Sequence, residues 1–263
     1  MFRNITPVVQ NLLLINIALF VVSGFVLPQL SQWFALYYIG SPYFKPFQFL
    51  TYMFMHADFW HLFSNMFGLL IFGPLLEQFL GPKKLLTLWM VCGVGSGVLY
   101  SGYNIYRVDS FQTQIETFQS NPDPEYFNKL VLEHRGYFNR SVFDFIDDFS
   151  RNPSDPVKIA RATQTLEEVL KFQGNIPMVG ASGALFGVLI AFAMLFPNTQ
   201  LFLLFPPMPV KAKYLVLFYG LYTLYNVLIN NPMDNVAHFA HLSGLVIGGL
   251  MVYRWKKDRN SFY

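Results

Sequence analysis

A serine hydroxyl becomes a useful nucleophile only when a neighbouring base takes its proton, and a neutral histidine is suited to that work near pH 7. Ser182 and His241 offer such a pair, each in a stretch of chain otherwise strongly apolar. Attack on an acyl carbon also develops negative charge on the carbonyl oxygen, which needs donors aimed at it. His61 and Asn65, four residues apart and therefore on one helical face, can supply them, and Ser182 itself is counted with them for oxyanion stabilisation. His56 stands five residues before His61, and His238, three residues before His241, competes with it for the role of base. Asp58 and Asp234 fall at the ends of apolar runs, so no carboxylate reaches the depth of Ser182. The chemistry this set can do is acyl transfer by a Ser182–His241 dyad, with no metal and no cofactor.

The elements that carry these residues are written in the distribution of charge. Of 263 residues, 54% are hydrophobic and 13% charged, about half the charged share of a soluble domain. Between Asn104 and Ile176 lie 19 charged residues, 11 acidic and 8 basic, which leaves 14 for the rest of the chain. The pattern predicts an all-α integral membrane protein with one polar helical insertion. A crossing needs roughly 20 apolar residues, and six runs qualify: Asn11–Leu27, Phe59–Leu76, Leu85–Tyr106, about Met178–Phe196, Tyr214–Met233 and Asn235–Tyr253. The expected parts are therefore 1–103 with three spans, the outer insertion 104–176, 177–256 with three more, and a tail at 257–263. Leu201–Phe205, among prolines, is expected to lie at the membrane interface.

Arg3, Lys83, Lys84, Lys211, Lys213, Arg254, Lys256, Lys257 and Arg259 gather at one side against only Glu77 and Asp258, and that side is predicted to be the cytoplasmic one, together with both termini. The insertion lies on the other side and shows no such bias. A net charge of +3 gives no case for nucleic acid, and the single Cys92 excludes an internal disulfide and a cysteine-rich metal site. Ser182, about five residues into the fourth run, and His241, about seven into the sixth, both enter from outside and fall on the order of 10 Å below the outer surface. Their helices are expected to approach closely, because Gly183 and Gly187 form one four-residue stripe and Gly244 and Gly248 another.

These motifs, taken together, resemble the rhomboid family of intramembrane serine proteases over about 190 residues of the membrane body. The nucleophile motif is matched by Gly180-Ala181-Ser182-Gly183, the base motif by Ala240-His241 with Gly244 and Gly248, and the oxyanion motif by His61 and Asn65 with His56 before them. Gly73-Pro74-Leu75-Leu76-Glu77 looks like the family's inner turn and glutamate. The resemblance implies a six-helix bundle that cuts transmembrane protein substrates near the outer part of their helices, with lateral entry beside the fifth span and the loop 230–235 as a lid. It also implies His241 as base and supporting places for His56, Gly180, Gly183, Phe186, His238, Gly244 and Gly248. Two positions depart from the family: Phe47-Gln48 where Trp-Arg is common, and Phe186 where a tyrosine is common. Phe186 is expected to stack beneath His241. A client-binding relative without proteolysis and a small transporter are the competing classes. The first is disfavoured by the retained Ser182 and His241, and the second by the absence of an inverted repeat. The short N-terminus favours a bacterial plasma membrane.

Overall fold

A computed structural model describes residues 5–202, 208–229 and 236–257, and the protein is all-α apart from one small hairpin. Helix α1 (Pro7–Val21) continues through a π-helical turn at Val22–Val26. The short helices α2 (Gln29–Phe34) and α3 (Gln48–Thr51) lie in the connection that follows. Next come α4 (Phe59–Leu80) and α5 (Pro82–Ser120), then α6 (Pro124–Glu133), α7 (Ser141–Arg151) and α8 (Pro156–Gly174). Helix α9 (Ser182–Leu195) leads to the hairpin of β1 (Gln200–Phe202) and β2 (Pro209–Lys211), then to α10 (Ala212–Ile229) and α11 (His238–Lys257). Among the described residues, four helices are long and apolar enough to cross a membrane: Pro7–Val26, α4, α5 and α10.

Helix α9 is the centre of the membrane body and packs against α4, α5, α10 and α11. Its two flanks bury Ala184, Val188, Ala191 and Phe192 into a core that also holds Leu69, Leu85, Trp89 and Cys92. Helix α1 packs on α4 and has no side-chain cap of its own. Its first amides donate instead to Glu77 of α4, from Val8 at 3.0 Å and Val9 at 3.1 Å. That use of Glu77 explains why α4 runs past Leu76, the expected end of the run, to Leu80 with a charge buried inside it.

Three expected boundaries change. The first helix starts at Pro7, where a proline costs nothing because that amide is outside the helical ladder anyway. The third does not stop near Tyr106. It runs unbroken to Ser120, since its outer half turns amphipathic and sends Phe111, Ile115 and Phe118 into a second core. The fourth begins at Ser182, so the serine is its first residue, not its fifth; residues 175–181 are an irregular strap paired with the first loop through Leu36 and Met178. Of the expected interfacial piece, Leu201 and Phe202 belong to β1 and the remainder lies outside the described residues, as do the lid 230–235 and positions 258–263 of the tail.

The second core belongs to a subdomain, expected from the sequence to be the outer one, made by the end of α5 with α6, α7 and α8. It buries Phe118, Phe127, Leu130, Val131, Phe149, Ala162 and Leu166. Asp123 and Asp155 cap α6 and α8 by accepting the amides of Tyr126 and Val157. Proline follows each cap at the first helical position, so both starts are locally specified.

Candidate active site

Helix α9 starts where it does because of Gly180. This residue has φ of +117°, a left-handed value that favours glycine, and its amide donates to the Tyr52 carbonyl at 3.0 Å. A Cβ at Gly180 would also lie 2.5 Å from His61 Nε2 and 3.8 Å from Asn65 Nδ2. The turn thus brings His61 and Asn65 of α4 against the residues just before Ser182, and any side chain there would push them away. Ser182 sits at the N-terminus of a 14-residue helix, where the first amides have no intrahelical acceptor and the helix dipole is positive.

His241 occupies the first turn of α11, and its Nε2 lies 2.8 Å from Ser182 Oγ. The contact can activate Ser182 only in the neutral tautomer of His241 that carries its proton on Nδ1 and leaves Nε2 free to accept. The imidazole is stacked flat on Phe186, one turn along α9, with ring centroids 4.3 Å apart and planes 8° apart. Phe186 thus fills the stacking place with no hydroxyl. Two helices can come this near only because their facing residues are glycine. A Cβ at Gly244 would collide with the Gly183 carbonyl, and one at Gly248 would lie 2.7 Å from the Gly187 Cα. On the other side of α9, a Cβ at Gly183 would lie 2.6 Å from the Ser96 Cβ, and Cys92 Sγ fills the space beside Gly187.

The remaining polar residues surround this pair at graded distance. His56 is buried and its ring meets His61 edge-on at 5.2 Å. His238 meets His241 edge-on at 5.9 Å and Tyr222 of α10 at 5.7 Å, so it flanks His241, and it is His241 that lies against Ser182 Oγ. Asn65 is buried, and its Nδ2 has no hydrogen-bond partner among the described residues. A buried donor without an acceptor is costly. Asp58 is taken up as the cap of α4, accepting the His61 amide at 2.9 Å. No group of three or more His, Cys, Asp or Glu side chains able to hold a metal occurs among the described residues.

Reading the residues one at a time missed Gln48 and Tyr52. Gln48, fully buried, accepts from the amides of Tyr37 (3.4 Å) and Lys45 (3.1 Å) and donates to the carbonyls of Trp33 (3.0 Å) and Tyr43 (2.9 Å). It holds the irregular loop between α2 and α3 together. Tyr52 donates its hydroxyl to the Gly93 carbonyl of α5 at 2.7 Å while its own carbonyl receives Gly180. The signal for Gln48 was present as a departure at a position where the family commonly has arginine, another multiple donor.

Fold and site together define an integral membrane protein of apolar helices with a serine and a histidine hydrogen-bonded between two of them. The Rhomboid domain family model matches residues 43–108 and 160–257, and the chain belongs to the rhomboid family. A similar protein is RHOMBOID-like protein 12, mitochondrial, of Arabidopsis thaliana, 25% identical over 213 residues. That alignment covers 81% of this chain and 47% of the relative, so the chain spans about half the relative's length. The family match omits 109–159, which contains α6, α7 and the outer end of α5.

Proposed function

We propose that this chain is an intramembrane serine endopeptidase that hydrolyses peptide bonds in or near the outer part of transmembrane helices. The observation that carries the reading is the 2.8 Å contact between His241 Nε2 and Ser182 Oγ beside the unpartnered Asn65 amide. In the proposed reaction Ser182 Oγ attacks the substrate carbonyl as its proton passes to His241 Nε2. The oxyanion is held by the amides at the start of α9, the Asn65 amide and His61. His241 then protonates the leaving amine, and a water molecule, deprotonated by the same nitrogen, releases the acyl group from Ser182. Phe186 keeps the imidazole plane fixed during both transfers. A substrate helix must unwind locally first, because its carbonyls are otherwise engaged in its own hydrogen bonds.

In this reading α1, α4, α5, α9, α10 and α11 are six spans, and residues 104–176 form an extracytoplasmic insertion. Both termini face the cytoplasm, in keeping with the lysines at the start of α5 and the basic last turn of α11. The proposed partners are transmembrane protein substrates and the surrounding bilayer. The sequence expectation of a bacterial plasma membrane and the mitochondrial name of the Arabidopsis relative point to different membranes. Fractionation of the source cells decides between them.

The test is cleavage of a reporter transmembrane segment by purified protein in liposomes, compared with Ser182→Ala. Cleavage by the wild type alone is expected. Equal cleavage by both would overturn the assignment of the nucleophile. No cleavage by either, over several segments, would favour the alternative of a client-binding rhomboid relative.

A further inference from the structure

The segment that ends at the serine is tied down at nearly every second residue. Asn175 Oδ1 accepts from Ser41 Oγ at 2.7 Å. Met178 exchanges both backbone hydrogen bonds with Leu36, at 2.8 and 2.9 Å, and Gly180 donates to Tyr52. Every one of these partners comes from the first outer loop, between α2 and α4. Asn175 is also the C-cap of α8, and its Nδ2 donates to the Lys171 carbonyl at 2.9 Å. One side chain therefore joins the last turn of the outer subdomain to the loop that moulds the strap.

The subdomain is joined to the membrane body on one side by continuous helix and on the other by the short strap. On one side it grows directly out of the membrane body as α5. On the other, α8 ends at Gly174, eight residues before Ser182, with Gln173 Nε2 held at 2.9 Å from His134 Nδ1 of the same subdomain. Ser41 is nearly buried and its Oγ both donates to Asn175 and accepts from the Tyr43 amide at 3.3 Å, which leaves the hydroxyl one orientation.

We propose that Ser41 and Asn175 are positioning residues through which the outer subdomain sets the strap 175–181 and hence the placement of Ser182. The pair touches no reacting atom. It acts by holding the strap in the register at which Gly180 turns and α9 begins. This inference rests on the protease reading for its catalytic consequence but not for its structural one, and the experiment separates the two.

Amide hydrogen exchange of the full-length protein in nanodiscs is compared for wild type, Ser41→Ala, Asn175→Ala, the double variant and Ser41→Thr. In parallel, a fluorophosphonate probe measures the rate of Ser182 labelling, and reporter cleavage gives kcat and KM. The expected result is exchange at Met178 and Gly180 roughly tenfold faster in both single alanine variants, about the loss of one hydrogen bond. The double variant is no faster than either, Ser41→Thr restores the wild-type rate, and α10 exchange is unchanged as the control for folding. Labelling and kcat fall about fivefold with KM unchanged, as expected for a misplaced nucleophile. Additive effects in the double variant, or unchanged strap exchange, would overturn the proposal, as would faster exchange with labelling at the wild-type rate. A wild-type protein that neither labels nor cleaves rejects the protease reading, and the exchange data then still judge the tether.

Discussion

The membrane body and the outer subdomain solve the same packing problem with opposite materials. Around Ser182 the helices meet backbone to backbone across Gly183, Gly187, Gly244 and Gly248, while large side chains such as Phe218 and Leu228 of α10 face outward. In the subdomain the centre is aromatic, with Phe118, Phe127 and Phe149 fully buried, and the surface carries ions such as the Lys158–Asp148 pair at 2.9 Å. Lipid offers no hydrophobic gain for hiding a phenylalanine, so close contact and polar fit hold the body together. Water does offer it, so bulk holds the subdomain. Precise placement of a serine against a histidine is therefore available in the body, where neither helix can slide without collision.

The sharpest way to break this contrast is Gly244→Val. The added carbons meet the Gly183 backbone, which cannot rotate away, so cleavage in liposomes is expected to drop to background with a lowered unfolding temperature. Phe127→Ala strikes the other material. It is expected to cost about 3–5 kcal/mol of subdomain stability, read as faster amide exchange in α6 and α7 with α9 and α11 still protected. Asn65→Ala tests the proposed site: on the proposed mechanism kcat is expected to fall roughly 100- to 1000-fold with KM little changed, as for the loss of one oxyanion donor.

Acid separates the regions more gently. Burial, and then the nearby Arg107, pushes His134 down to about 4 from 6.5, so the folded subdomain takes up that proton less readily than the unfolded chain. Its contribution is complete above pH 6.5, is lost as pH falls from there, and is gone near pH 4. Exchange in α6 as a function of pH is expected to show this slope, and His134→Gln to flatten it. Smallest is Asp155→Ala, which removes the α8 cap and costs about 1 kcal/mol, measurable by thermal unfolding.

Much of the candidate site was legible because polar residues in an apolar run are few and costly. Ser182, His241, His61 and Asn65 stood out by type, and the glycine stripes gave the reason two helices could meet. Where α9 begins was not legible. Met178 to Ala181 is apolar enough to pass for helix, and only the left-handed Gly180 and the pairing of Met178 with Leu36, residues distant in sequence, stop it. The outer reach of α5 was hidden for the opposite reason: counting uncharged residues finds where lipid contact ends, and a helix need not end there. Gln48 escaped because its work is to satisfy main-chain groups at four places in an irregular loop, which leaves no periodic trace.

Glu77 has a bearing on how the chain is assembled. Alone in lipid, α1 would present bare amides at its start, and α4 would present a carboxylate that is 4% exposed in the finished protein. Each defect is the remedy for the other. Helix α1 is therefore left with open amides until α4 packs on it, and the two are expected to assemble as a pair.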